Sequence, residues 1–127
     1  MVSKEIEAFF EQHKKYFEKR NIQGVMTHHL DASLFWDQSG ESMKGRNEIR
    51  GWFTMMFGLW EISKVDYEIA MLRTNDKMAT CALFWSLEGH EEGEPEVTKT
   101  VQLKVTYCLE KSELGWKIWH AHCSEVS

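Results

Sequence analysis

Two histidines near the end of the chain have the residue type and spacing for proton transfer. His120 and His122 lie two apart in residues 115–124, a run rich in aromatic and β-branched residues that predicts a strand. Because side chains two apart share one face of a strand, both imidazoles are expected to point inward, beside Trp116 and Ile118. An imidazole can exchange a proton near neutral pH. We therefore predict that His120 and His122 are catalytic, or else that they are hydrogen-bonded residues of a pocket wall.

The same pair could hold a metal ion if a third ligand came close. Asp37 and His29 are the candidates for that ligand, because carboxylate and imidazole groups both coordinate metals. No other His, Cys, Asp or Glu has the spacing of a known metal motif. The sequence therefore predicts no metal site and no other cofactor.

A carboxylate ends the first predicted strand, residues 33–37. Asp37 follows Phe35 and Trp36, and a carboxyl group among aromatic rings would have a raised pKa and could act as a general base. The alternative is structural, because Asp often opens a turn and residues 38–41 read as one. The sequence alone leaves both interpretations open.

Three helices are predicted before the long strands, at residues 3–20, 21–29 and 46–60. His13 lies within the apolar stripe of the first helix, and Tyr16 follows one turn later. Either side chain could donate a hydrogen bond to a ligand, although a buried, hydrogen-bonded histidine is the more common finding. The third helix carries large apolar rings at helical spacing, which fit a core or a pocket wall: Trp52, Phe53, Phe57 and Trp60.

From Ile62 onward the hydrophobic period changes from helical spacing to two. Strands are predicted at residues 62–71, 78–88, 97–110 and 115–124. Helices followed by a run of hairpin strands indicate an α+β fold with a mostly antiparallel sheet. Strands this long must twist and curl. We therefore predict a cone-shaped, strongly curved sheet with three N-terminal helices on its concave face and a cavity at the open end.

Composition narrows the functional classes. The 127 residues fit one domain, residues 1–127, and 43% hydrophobic residues suffice for a core. The net charge of −5 and the absence of a basic stretch argue against nucleic-acid binding. No apolar run is long enough for a membrane span, and the start of the chain does not read as a signal peptide, so a cytoplasmic protein is expected. The three cysteines are expected to be buried free thiols.

Two motifs carry a resemblance to a known family. Residues 44–50, KGRNEIR, open the third helix, and residues 116–124, WKIWHAHCS, form the last strand. With the order of elements, they resemble the nuclear transport factor 2-like superfamily, above all its SnoaL-like proteins and the association domain of calcium/calmodulin-dependent protein kinase II. The resemblance implies a conical pocket and a homodimer through the outer face of the sheet. It does not imply one function, because the superfamily includes both enzymes and non-catalytic assembly domains.

The resemblance also suggests roles for single residues. Asp37 stands near the position of the general base in the superfamily's ketosteroid isomerase branch, allowing one extra residue in the strand. His13 stands about where that branch has the Tyr of its oxyanion hole. The second oxyanion donor, a protonated Asp, has no counterpart in residues 104–107, where Val105 would point inward. Steroid isomerisation is therefore not expected.

The kinase association domain offers a different comparison. Its pocket uses arginines, whereas Cys123 stands here where that domain has an Arg. What remains is a largely apolar pocket for a small hydrophobic or aromatic ligand. The predicted ligand-binding residues are His13, Tyr16, Trp52, Phe57, Trp85, Val105 and Trp116.

Two functional hypotheses follow from the sequence. The first is a small-molecule-binding protein that catalyses proton transfer of the isomerase, dehydratase or cyclase type, with Asp37 as the base and His120 and His122 as its partners. The second is a non-catalytic homodimeric binding or assembly module. Trp119, on the expected outer side of the last strand, favours a dimer because an exposed Trp is typical of contact surfaces.

Overall fold

The computed structural model describes residues 2–126 and shows three helices and six strands. The predicted domain ends at residues 1 and 127 lie outside the described residues. The helices are α1 (Val2–Glu18), α2 (Ile22–Thr27) and α3 (Arg46–Leu59). The strands are β1 (His29–Trp36), β2 (Ser42–Lys44), β3 (Trp60–Thr74), β4 (Met78–Glu91), β5 (Lys99–Ser112) and β6 (Gly115–Glu125).

All six strands form one sheet in the order β2-β1-β6-β5-β4-β3. β1 and β6 run parallel, and the other neighbouring strands are antiparallel. Register shifts in the β1–β6, β3–β4 and β5–β6 pairs mark β-bulges, which bend a strand and increase its twist. The sheet is therefore strongly curved without closing into a barrel, and the predicted α+β cone with helices on its concave face is confirmed.

The core lies between the concave face of the sheet and the apolar stripes of α1 and α3. The helices contribute Ile6, Phe9, Phe10, Ile49, Phe53 and Phe57, all buried. The sheet contributes alternate residues of its strands, including Val65, Leu83, Val105, Tyr107 and Leu109. Burial of each large apolar side chain stabilises the fold by about 1.5–3 kcal/mol. The same burial fixes where the helices sit on the sheet.

Several element bounds differ from the sequence prediction, and Trp60, predicted to end the third helix, is the first residue of β3. β2 was missed, because only Met43 of its three residues is buried and so short a strand has no periodic signal. β1 begins at His29, which the sequence placed at the end of the second helix. The backbone leaves the helix at His28, whose N–H still bonds to carbonyl groups of α2. No helix in residues 2–126 is both long and apolar enough to cross a membrane.

Candidate functional site

A cavity of about 280 Å³, partly open to solvent, lies between the helices and the concave face of the sheet. Its buried lining residues include His13, His29, Phe53, Trp85, Tyr107 and Ile118. Lining residues with greater exposure are Trp60, Ile62, Leu87, Val101 and Glu125. None of the described lining residues is Lys or Arg, and Glu125 is the acidic one. The walls are therefore mostly apolar and aromatic, with a small number of uncharged polar groups and the acidic Glu125.

His13 projects from α1 and forms a hydrogen bond with His28 at the end of α2. The two Nδ1 atoms are 2.8 Å apart, so one ring donates its proton and the other accepts it. Burial lowers the pKa of His13 well below its usual value, and burial lowers the pKa of His28 to about 4. Phe9 stacks on His28, with ring centroids 4.1 Å apart. Both imidazoles are therefore neutral at physiological pH.

His29, the first residue of β1, is a third neutral imidazole, and it lines the cavity as His13 does. Its Nδ1 lies 3.2 Å from the Oγ of Ser33, which is completely buried. Burial lowers the pKa of His29 to about 3, with smaller contributions from His28 and Arg46. Its Nε2 is buried and has no hydrogen-bond partner among the described residues. The sequence prediction considered His29 only as a metal ligand, because its position at the helix–strand junction was not apparent.

Asp37 is buried beyond the end of β1, but it is not among the residues that line the cavity. Its Oδ1 accepts hydrogen bonds from Ser39 N–H at 2.9 Å, Ser39 Oγ–H at 2.7 Å and Glu41 N–H at 2.9 Å. Its Oδ2 accepts one from Trp52 Nε1–H at 2.8 Å. Burial acts to raise the pKa, but these hydrogen bonds outweigh it and lower the pKa of Asp37 below its usual value. The expectation of a raised pKa is therefore wrong, and the geometry is that of a turn-forming Asp.

His120 and His122 lie on the outer face of the sheet, so the prediction that they face inward is wrong. The β5–β6 register pairs Leu109 with Ile118 and Cys108 with His120, which leaves Trp119 as an extra residue in β6. This bulge reverses the alternation after Ile118. Ala121 and Cys123 take the inward positions instead, and both line the cavity.

Both outward imidazoles pack against Trp36 of β1. The ring centroid of Trp36 is 5.0 Å from that of His120 and 5.2 Å from that of His122, in edge-to-face geometry. His120 Nδ1–H donates to the carbonyl of Leu34 at 2.9 Å. Within residues 2–126, no three His, Cys, Asp or Glu side chains form a cluster that could hold a metal ion.

A family model for the SnoaL-like domain matches residues 6–127. The chain belongs to the SnoaL-like domain family. Its structure is similar to that of a ketosteroid isomerase-like protein from Erwinia carotovora atroseptica, with a TM-score of 0.84, 18% identity, and 96% and 94% of the two chains covered. A conserved protein from Planctomyces limnophilus gives a TM-score of 0.85 at 10% identity and 98% coverage of each chain.

A proposed Ca/calmodulin-dependent kinase II association domain from Exiguobacterium sibiricum gives a TM-score of 0.80 at 9% identity, covering 99% of this chain and 94% of that one. No curated protein matches this chain. Identities this low show the fold alone. Because the similar structures carry such different descriptions, the function of this SnoaL-like domain has to be argued from its own cavity.

The predicted ligand-binding residues of this SnoaL-like domain divide into two groups. Five of the seven line the cavity: His13, Trp52, Phe57, Trp85 and Val105. Tyr16 does not, because its ring packs against His28 and against the backbone of Gly24. Any side chain at position 24 would collide with the Tyr16 ring. Trp116 is also absent from the cavity wall, and its Nε1–H donates to Glu5 at 3.2 Å. Whether the five cavity residues bind a ligand stays a prediction.

Tyr107 and Cys123 are among the polar cavity residues that were not predicted from the sequence. The hydroxyl oxygen of Tyr107 accepts a hydrogen bond from Trp85 Nε1–H at 3.0 Å, and burial raises the pKa of Tyr107. Burial raises the pKa of the Cys123 thiol to about 12. Both groups therefore stay protonated at neutral pH. The alternation of β5 could have shown that Tyr107 faces the same way as Val105.

Proposed function

We propose that this SnoaL-like domain binds a small, neutral, mostly apolar molecule in the cavity. The observation that carries the proposal is a partly open cavity whose wall is aromatic and aliphatic and whose deepest polar groups are neutral imidazoles. An anion would lose its hydration there without meeting a cation, which is costly. Ligand cavities in proteins are typically apolar with a few placed polar groups, as this one is.

The size of the cavity limits the ligand. Its volume of about 280 Å³ is near the lower end of the range of about 300–1,000 Å³ that is common for ligand pockets. Trp85 and Phe57 form walls around this volume. A planar molecule of one or two rings matches these dimensions, and its faces would pack against the aromatic side chains.

The proposed function is ligand binding, and it gives Asp37 no catalytic role. Both oxygens of its carboxylate already accept hydrogen bonds, and its low pKa makes it a weaker base. His120 and His122 are on the opposite face of the sheet from the cavity. These placements support a binding module over proton-transfer chemistry by the three residues that the sequence singled out.

We further propose that the outer face of the sheet forms a homodimer. Exposed aromatic residues on this face include Trp36 (40%), Phe84 (42%) and Trp119 (39%). Exposed aromatic residues on a soluble domain are typical of contact surfaces, and aromatic residues are enriched at the centre of protein interfaces. The dimer contacts would then lie on the opposite face of the sheet from the ligand cavity, so that one face contributes to the cavity and the other to the interface.

The test of ligand binding is calorimetric titration with neutral one-ring and two-ring aromatic compounds. Val105 is buried in the cavity wall, so Val105→Phe places a ring in the cavity and is expected to weaken binding at least about tenfold. Thr100→Phe adds a ring on the exposed side of the same strand, which makes it the matched control that should bind normally. Equal binding by both variants, or no binding of any compound at millimolar concentration, contradicts the proposal and favours the assembly hypothesis.

A further inference from the structure

Two buried polar atoms in the cavity residues have no hydrogen-bond partner among residues 2–126: His29 Nε2 and Gln38 Oε1. A buried polar group without a partner destabilises a protein, so each such atom needs a physical explanation. Gln38 is only half-buried, and rotation of its side chain can bring the amide to water. His29 has no such freedom, because only 4% of it is exposed and its other nitrogen is held by Ser33.

The contact with Ser33 determines which nitrogen of His29 carries the proton. The imidazole is neutral, so it has one N–H and one unprotonated nitrogen. The Ser33 hydroxyl is fully buried, and His29 Nδ1 is its hydrogen-bond partner. If Nδ1 carried the proton, the hydroxyl hydrogen of Ser33 and the lone pair of Nε2 would both be unpaired. If Ser33 donates to Nδ1 instead, a single group is left unpaired, the N–H of Nε2.

We infer that His29 Nε2–H is a hydrogen-bond donor that selects ligands with an uncharged acceptor oxygen, such as aromatic ketones, quinones or lactones. This inference rests on the proposed function and assigns the cavity its specificity-determining residue. The ring of His29 forms part of the cavity wall beside Phe53, with ring centroids 6.2 Å apart. Nε2 itself has almost no accessible surface, so the proposed contact requires a small turn of the ring that presents Nε2 to the ligand. A carbonyl oxygen would pair the buried donor, so that no polar atom of the His29 and Ser33 side chains would be left unpaired.

Carboxylates also accept hydrogen bonds, but the cavity disfavours them. The described lining residues include no Lys or Arg, and Glu125 adds negative charge where the cavity meets solvent. One N–H donor does not replace the hydration that a carboxylate loses on burial. The expected order of affinity is therefore ketone first, then the hydrocarbon of the same shape, then the carboxylate.

Three probes of nearly the same shape test this order: 2-acetylnaphthalene, 2-isopropenylnaphthalene and 2-naphthoate. The first two differ by C=O against C=CH₂. Titration of the wild-type protein is expected to show the ketone binding about tenfold more tightly than the alkene, which is the size of one good buried hydrogen bond. Equal affinities for the two probes would overturn the inference while leaving the proposed function intact. Failure of all three to bind would count against the proposed function itself.

Two variants of His29 separate its role as a donor from its role in packing. His29→Asn keeps an amide near the position of Nδ1 for Ser33 but has nothing at the position of Nε2, so the preference for the ketone is expected to disappear. His29→Gln reaches about as far as Nε2 and can donate there, so a preference is expected to remain. If His29→Asn keeps the full tenfold preference, His29 is not the selecting donor.

Nitrogen-15 NMR of the imidazole supplies a measurement that needs no variant. In the free wild-type protein, the proton is expected on Nε2 and not on Nδ1. The Nε2 signal should shift when 2-acetylnaphthalene is added and stay in place with 2-isopropenylnaphthalene if both bind. A proton on Nδ1 in the free protein would overturn the inference even if every probe binds.

Discussion

The three buried imidazoles of His13, His28 and His29 are expected to make the fold sensitive to mild acid. In the unfolded chain a histidine binds a proton as the pH falls through about 6.5. In the folded protein, burial lowers the pKa of His28 to about 4 and that of His29 to about 3, and it lowers the pKa of His13 well below its usual value. Between pH 6.5 and 4 the unfolded state therefore binds more protons than the folded state.

The sign and size of the effect follow from proton linkage. The three neutral imidazoles make their full contribution to the free energy of unfolding above pH 6.5. This contribution decreases as the pH falls toward the folded-state pKa values. For each additional proton that the unfolded chain binds, the free energy of unfolding decreases by about 1.4 kcal/mol per pH unit. For His28 and His29, whose folded-state pKa values are about 4 and about 3, the loss from pH 7 to pH 5 is about 4 kcal/mol, and His13 adds to it in the same direction. Typical domains are stable by only about 5–15 kcal/mol, so this loss brings the protein close to unfolding.

Urea denaturation at pH 7, 6 and 5, followed by circular dichroism, measures this loss. His29→Asn removes one of the three titrating groups, so its loss between pH 7 and pH 5 should be smaller by about 2 kcal/mol. Val105→Ala is the control, because it destabilises the core and leaves all three imidazoles in place, so its pH dependence should match the wild type. A free energy of unfolding that stays constant from pH 7 to pH 5 would refute the reasoning. So would an unchanged slope in His29→Asn.

Two further predictions concern the turn and the outer face. Asp37→Asn is expected to destabilise the protein by about 1–3 kcal/mol in urea, because an amide cannot accept from both Ser39 and Trp52. Its control, Asp31→Asn at an exposed carboxylate, should cost less than about 1 kcal/mol, and equal losses would contradict a structural role for Asp37. Trp36→Lys is expected to convert a dimer to a monomer in sedimentation velocity, whereas Leu114→Lys, at an exposed turn, should not. A monomeric wild-type protein, or a dimeric Trp36→Lys variant, would disprove the proposed interface.

The fold was predictable because its signals are local. The apolar stripe of α3 and the alternation of β5 follow from neighbouring residues alone, and they identify a helix and a strand that each bury one face. The length of β3, β4 and β5 predicted the curl of the sheet, which the structure confirms. Val105 and Trp85 line the cavity, as their alternation in the sequence indicates, because their strands pair in regular register through those positions.

The sequence by itself determined the strand character of β6 and the presence of a concave apolar face. Only the tertiary structure decided which side of β6 carries the imidazoles, because the bulge at Trp119 arises from the pairing of β6 with Cys108 and Leu109 of β5. It also decided the ionisation of Asp37, since Trp52, one of its hydrogen-bond donors, lies on a different element. Register and desolvation depend on atoms far apart in the chain, and periodicity within one strand carries no information about them.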